Sequence, residues 1–118
     1  MERWIVVAAT LSAATAVAAG AFGAHTLADA QSGRSAELFK TASQYQFGHA
    51  VAVLALQALQ PESIVGPLLL LFASLVFATS LYGLGFGAPR WTGVITPLGG
   101  LAMIGGWLIC AWKLRSVG

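Results

Sequence analysis

Apolar runs long enough to cross a lipid bilayer as helices fill most of this chain. They cover residues 4–25, 36–59, 64–86 and 91–113, and short polar or proline-containing stretches separate them. A helix needs about 20 apolar residues to cross the hydrocarbon core, so four passes use about 80 residues. The runs therefore predict an all-α fold for residues 1–118: a single domain formed by a bundle of four transmembrane helices with up-down topology.

The composition excludes several other classes of protein. The chain is 58% apolar and only 8% charged, with a net charge of +2. An average soluble domain is about half apolar and about a quarter charged. Too few charged side chains are present to cover a water-facing surface, and no basic tract is present to bind nucleic acid. We therefore expect the lipid bilayer as the partner and exclude a soluble monomer, a disordered tail and a nucleic-acid binder.

The second run begins as an amphipathic helix. Glu37 and Lys40 lie three residues apart in its first turns, where their simplest interpretation is an ion pair on the helix surface. Only the stretch after about Tyr45 is apolar enough to lie deep in lipid. The first turns of this helix are therefore expected at the membrane interface.

The fourth run has an aromatic residue at each end and a proline near its start. Trp91 and Trp112 are separated by about 31 Å along a helix, close to one hydrocarbon thickness, as interfacial anchors require. Pro97 cannot donate a hydrogen bond to the Gly93 carbonyl. The sequence therefore predicts a kink at Pro97.

Small residues are spaced so that another helix could approach closely. The candidates for helix packing are Gly20, Gly23, Gly99, Gly100 and Gly106. These glycines could close the bundle of a single chain, or they could pack against a second copy or another membrane protein. A homo-oligomer and a membrane-protein partner are both open on this pattern.

Nearly all polar side chains at membrane depth fall in one leaflet of the predicted bundle. Up-down topology brings together the end of the first helix, the start of the second, the end of the third and the start of the fourth. Polar groups in lipid need partners or a cavity, and they often mark a functional site. We predict a pocket for a small ligand or lipid, with a role in transport or as an accessory to a larger membrane complex. The candidate lining residues are His25, Tyr45, His49, Tyr82 and Thr96.

A structural role for the same side chains is the main alternative. In that case the histidines join helices by hydrogen bonds, and the helices pack an oligomer or a partner complex. Replacing His49 by leucine separates the two hypotheses. A structural role predicts lower thermal stability, whereas a ligand site predicts lost binding with the fold retained.

No set of residues for catalysis is found, so we do not predict an enzyme. The acids are few and lie near membrane boundaries or in loops: Glu2, Asp29, Glu37 and Glu62. Two histidines are too few for an ordinary protein metal site, and no metal and no cofactor is predicted. A haem iron or a quinone held by His25 and His49 is the third and weakest alternative.

Four motifs in order resemble those of a family of small membrane proteins of unknown function. The first is Gly20-Ala21-Phe22-Gly23-Ala24-His25, and the others are residues 38–50, Ser80-Leu81-Tyr82, and Ile95-Thr96-Pro97-Leu98-Gly99-Gly100 with Gly106-Trp107. The family is that of the bacterial YgdD/YwdK-like proteins, with the eukaryotic transmembrane protein 256 as a relative. The resemblance implies a four-helix protein of the bacterial inner membrane. It implies no catalytic role for any residue.

Overall fold

The chain forms four long helices in a computed structural model, which describes residues 3–27 and 33–115. The helices are α1 (Arg3–Phe22), α2 (Gly33–Leu59), α3 (Val65–Gly85) and α4 (Ile95–Leu114). Within those two ranges no strand occurs, and the prediction of an all-α fold is confirmed. Residues 28–32 of the predicted polar connection between the first two helices, which include Asp29, lie outside the described residues.

Three segments are long and apolar enough to cross a membrane: Arg3–His25, Val65–Gly85 and Arg90–Leu114. The helix α2 has 27 residues, about 40 Å, so its length also suffices. Its hydropathy falls short of the other three because polar side chains occupy much of its first half. The longest dimension of the molecule is 52 Å, slightly more than the 40–45 Å or so of a bilayer with its headgroups. The architecture is therefore a helical membrane bundle.

The helix contacts establish the up-down topology. The helix α2 lies between α1 and α3, and α3 also packs against α4. One hydrophobic core joins the start of α1 and α3 to the end of α2 and α4 through Ile5, Val53, Leu70 and Cys110. At the other end of the bundle, rings from the end of α1 and α3 meet the start of α2. Successive helices therefore run in opposite directions, as predicted.

An aromatic cluster closes this second end of the bundle. Phe39 is only 3% exposed, and its ring lies 4.8 Å from that of Tyr82 and 5.6 Å from that of Phe22, between centroids. Gly23 and Gly85 lie on two sides of the Phe39 ring and leave room for it, since a Cβ on either would lie 2.8 Å from a Phe39 carbon. The ring therefore fills a gap that both neighbouring helices leave for it.

The start of the fourth run departs from a simple kinked helix. Residues Arg90–Val94 form a 3-10 turn, and the α-helix begins only at Ile95. Pro97 thus lies in the first α-helical turn, where its missing N–H would lack an intrahelical partner in any case. The kink at Pro97 stays a prediction, and the structure shows a change of helix type just before the proline.

Close helix approach is seen at four of the five glycines proposed for packing. A Cβ on Gly99 would lie 3.0 Å from backbone atoms of Phe77, and one on Gly106 would lie 2.8 Å from Leu70 Cδ2. Gly20 and Gly23 likewise lie close to α2. A Cβ on Gly20 would lie 3.2 Å from Ser43 Oγ, and one on Gly23 would lie 2.8 Å from Phe39 Cβ. No atom of another part of the described chain lies within 4 Å of a Cβ on Gly100.

Candidate functional site

A buried hydrogen-bond network joins the first three helices. Gln46 of α2 is 2% exposed, and its Nε2 donates to the carbonyl oxygen of Ser12 at 3.1 Å and to Ser12 Oγ at 3.2 Å. On its other side, the Tyr82 hydroxyl donates to Gln46 Oε1 at 2.6 Å. One glutamine side chain thus connects α1, α2 and α3.

The sequence around Gln46 explains why an amide can be buried there. Gln46 lies one turn from Ala42 and one turn from Ala50, and both alanines are fully buried. These small residues let α1 and α3 approach α2, and the glutamine then reaches polar groups on both. An unpaired amide in hydrocarbon would cost several kcal/mol, so burial requires these partners.

An open groove of about 270 Å³ lies over this network, between α1 and α3. We name it the α1–α3 groove; its lining residues are Ala8, Leu11, Ser12, Thr15, Gln46, Leu75, Ala78, Thr79 and Tyr82. The rim residues Leu11, Thr15, Leu75 and Thr79 are exposed, so the groove opens toward lipid. Its floor is polar and its rim is mainly apolar, and no charged side chain lines it.

The hydroxyl groups in the α1–α3 groove differ in whether they can still donate or accept a further hydrogen bond. Thr15 and Thr79 donate to carbonyl oxygens of their own helices, at Leu11 and Leu75, and keep free lone pairs. The Tyr82 hydroxyl donates to Gln46 and keeps a lone pair, and Ser12 Oγ accepts from Gln46. The groove therefore offers several acceptors and, through the Ser12 hydroxyl hydrogen, one donor.

A second polar contact joins α2 to α4. The indole N–H of Trp107 donates to His49 Nε2 at 3.0 Å, and His49 Nδ1 lies 2.8 Å from the Tyr45 carbonyl oxygen. An indole N–H only donates, so Nε2 is the acceptor and Nδ1 carries the proton, which it donates to Tyr45. His49 is therefore a neutral imidazole with both nitrogens hydrogen-bonded. Tyr45 is 46% exposed and stacks on His49, with ring centroids 6.1 Å apart.

We expect His49→Leu to lower the stability of the bundle by about 1 kcal/mol, because Trp107 loses its acceptor. The measurement is unfolding of the purified protein in mild detergent, followed by helical circular dichroism. His25→Leu is the matched control: the His25 ring is exposed and makes no hydrogen bond in the described part of the chain. Equal stability of the His49 and His25 variants would contradict the structural role of His49.

The structure distributes the five predicted site residues over separate places. His49 faces Trp107 of α4 and the exposed Tyr45 stacks beside it, whereas the Tyr82 hydroxyl donates to Gln46. Thr96 Oγ1 lies 2.6 Å from Ser80 Oγ, which joins α4 to α3. His25 is exposed in a π-helical segment, Gly23–Leu27, that extends α1. The five residues remain predicted site residues, and Tyr82 is the one that lines the α1–α3 groove.

Gln46, Ser12, Ser80 and Trp107 were not among the predicted site residues, although they form polar contacts between helices. A signal for Gln46 is present in the sequence. Phe39, Ala42, Gln46, Ala50 and Val53 follow one another at intervals of three or four, and all are buried. An uncharged amide in a stripe of small and apolar residues is the pattern of a residue that hydrogen-bonds between membrane helices.

No group of three or more His, Cys, Asp or Glu that could hold a metal ion is found in residues 3–27 and 33–115. Cys110 is a buried free thiol packed among apolar side chains. The α1–α3 groove thus presents uncharged hydroxyl and amide groups beside apolar side chains.

The chain is similar to membrane proteins whose function is unknown. A family model described as protein of unknown function (DUF423) matches residues 19–100. The UPF0382 membrane protein of Staphylococcus epidermidis is 35% identical over 113 residues, which are 92% of each chain. The UPF0382 inner membrane protein YgdD of Escherichia coli is 30% identical, over 99% of this chain and 95% of the relative. The chain matches no solved structure.

Proposed function

Because this multi-pass membrane protein belongs to the DUF423 family, whose function is unknown, we propose a role from its own geometry. It binds an uncharged, hydroxyl-bearing lipid-phase molecule in the α1–α3 groove. The polar end of the ligand lies on Ser12 and Tyr82, and its apolar part extends into the bilayer. The role served by such binding is transport of the ligand or its presentation to a larger membrane complex.

The observation that carries this proposal is the position of the Gln46 network at the floor of an open groove. A network that served only to join helices would be covered by apolar side chains. Here Ser12, Gln46 and Tyr82 all line a space of about 270 Å³ that faces lipid. Ligand pockets commonly measure about 300–1,000 Å³, so the space accepts the polar end of a longer molecule.

The hydrogen-bonding pattern selects the class of ligand. A hydroxyl group both donates and accepts, so it can take the hydrogen of Ser12 and donate to the oxygen of Tyr82 or Thr79. A charged headgroup would enter a low-dielectric site without a counter-charge, since no ionised side chain lines the groove. Uncharged amphipathic alcohols and phenols therefore fit best.

The proposal is tested with a photoreactive long-chain alcohol and its methyl ether in phosphatidylcholine vesicles that contain the full chain. We expect the alcohol to label the segments 8–15 and 75–82 about fivefold more than the ether, because one hydrogen bond is lost in the ether. Peptide mass spectrometry locates and quantifies the label. Tyr82→Phe should reduce the difference between the two probes, because it removes an acceptor that only the alcohol can use, whereas Ser12→Ala should lower labelling by both probes, because both accept the Ser12 hydrogen.

Thr96→Val is the matched control, since it removes a hydroxyl from a helix contact outside the groove. It should leave the labelling ratio unchanged. Equal labelling by both probes, spread over all lipid-facing helices, would overturn the proposal and assign the Gln46 network to helix packing alone.

A structural role is the second candidate, and the His49 geometry favours it for that residue. Both imidazole nitrogens are already hydrogen-bonded within the chain, so His49 has no free site for a ligand. A purely structural protein would show the stability loss expected for His49→Leu together with no preference between the two probes.

A further inference from the structure

A second groove, between α1 and α2, combines charged side chains with an apolar floor. One cavity of about 400 Å³ is lined by Gly20, Gly23, Ala24, Ala36, Glu37, Lys40, Ser43 and Gln44. A second cavity of about 290 Å³ is lined by Ala16, Val17, Gly20, Ala21, Ser43, Gln44 and Phe47. The two cavities share Gly20, Ser43 and Gln44, so they form one groove, which we name the α1–α2 groove.

The polarity of the α1–α2 groove changes along its length. Glu37 and Lys40 lie at one end, in the first turns of α2, which the sequence predicts at the membrane interface. Ser43 and Gln44 follow in the middle, and Val17, Ala21 and Phe47 line the deeper part. Charge, then hydrogen-bonding groups, then hydrocarbon is also the order of groups in a phospholipid.

The two charged side chains at the polar end of the α1–α2 groove are unpaired within the described part of the chain. Glu37 and Lys40 are both exposed, and neither side chain makes an ion pair or hydrogen bond there, although the Lys40 carbonyl oxygen accepts from Ser43 Oγ. The ion pair predicted between them from their spacing is thus absent from the structure. A carboxylate and an ammonium that line the same cavity without pairing can each bind the opposite charge of a zwitterion.

We propose that the α1–α2 groove binds a phosphatidylethanolamine molecule, with its phosphate on Lys40 and its ammonium on Glu37. The Gln44 side chain makes no hydrogen bond in the described residues, and its amide N–H can donate to an ester carbonyl of the lipid. One acyl chain then follows the apolar floor between Ala16 and Phe47. This site is separate from the α1–α3 groove and does not depend on the function proposed above.

The headgroup chemistry distinguishes this lipid from other common phospholipids. A primary ammonium donates hydrogen bonds to a carboxylate, whereas the trimethylammonium of phosphatidylcholine has no N–H to donate. Phosphatidylglycerol carries the phosphate but no cation. The Glu37 carboxylate therefore has no positive group to bind, and it repels the phosphate of this lipid. Glu37 therefore selects the headgroup, and Lys40 supplies attraction to any phospholipid.

The experiment is native mass spectrometry of the full-length protein in mild detergent, titrated with dioleoyl phosphatidylethanolamine, phosphatidylcholine or phosphatidylglycerol. We expect the ethanolamine lipid to bind about fivefold more tightly than either other lipid. Lys40→Gln should weaken its binding by a similar factor. Glu37→Gln should reverse the preference, so that phosphatidylglycerol binds at least as tightly as phosphatidylethanolamine.

Arg90→Gln is the matched control, because Arg90 is exposed at the same end of the bundle but lies outside the groove. It should leave all three affinities unchanged. Equal losses of lipid affinity in the Lys40 and Arg90 variants would show that general surface charge sets the binding, and would overturn the site. A preference that Glu37→Gln does not alter would overturn headgroup selection. Binding of soluble phosphoethanolamine as tight as that of the lipid would overturn the role of the apolar floor.

Discussion

Gly99→Ala is expected to destabilise the bundle by about 1–3 kcal/mol, the usual cost of inserting an extra carbon into a tightly packed contact. The added Cβ would lie 3.0 Å from the N, Cα and Cβ of Phe77. Two of these are backbone atoms, so no side-chain rotation can relieve the clash and α3 and α4 must separate. The measurement is the free energy of unfolding in bicelles with a denaturing detergent.

The neighbouring glycine supplies the control for this substitution. A Cβ on Gly100 would meet no atom within 4 Å, apart from its own local backbone. Gly100→Ala should therefore change stability by less than about 0.5 kcal/mol, or raise it slightly, since alanine favours a helix more than glycine does. Equal destabilisation by the two substitutions would contradict the contact with Phe77 as the cause of the effect at Gly99.

Gln46→Leu is expected to cost about 1–3 kcal/mol, because the partly buried Tyr82 hydroxyl then loses its acceptor. Leucine is close to glutamine in size, so the loss arises from hydrogen bonding more than from packing. Tyr82→Phe in the same chain removes the orphaned hydroxyl. The double variant should therefore lose less stability than the sum of the two single variants.

The unfolding free energies of the four proteins in this cycle give the coupling between the two side chains directly. We expect a coupling of about 1 kcal/mol, in the upper part of the range measured for hydrogen bonds between membrane helices. A double variant with Tyr45→Phe instead should be additive, since the Tyr45 hydroxyl makes no hydrogen bond in the described part of the chain. Additivity in the Tyr82 cycle would contradict the Gln46–Tyr82 hydrogen bond.

Hydropathy alone identified three of the four helices, because each of them presents apolar side chains on nearly every face. The helix α2 was recognised from its amphipathic start and its later apolar stretch. Tyr45 and His49 were predicted to line a pocket, whereas the structure buries their neighbours Gln46 and Ala50 and leaves Tyr45 46% exposed. One position is a rotation of about 100° around a helix.

The exposure of Tyr45 beside the buried Gln46 has a physical cause. In a soluble helix the polar face is turned to water, but in lipid a lone amide faces inward and amphipathic aromatic rings face outward. Tyr45 accordingly lies toward lipid, and Gln46 lies at the centre of three helices. The sequence places the site residues in the same leaflet, but the partners of each depend on rotations of the helices that spacing does not determine.

The packing of Phe39 between two glycines is another contact that sequence spacing does not determine. The glycines Gly23 and Gly85 belong to different parts of the sequence, and neither spacing nor composition relates them to Phe39. Only the antiparallel packing of α1, α2 and α3 brings the three together. Contacts of this kind depend on tertiary geometry, whereas the helices themselves depend on local composition.

The Gln46 network has a consequence for how the protein is made. During synthesis α1 enters the membrane first, followed by α2 and then α3. When the weakly hydrophobic α2 arrives, the Gln46 amide N–H groups find Ser12 already in place, but Oε1 has no donor until Tyr82 follows with α3. The least apolar helix is thus retained in the nascent membrane protein by the helix made before it, and its last polar atom is satisfied only by the helix made after it.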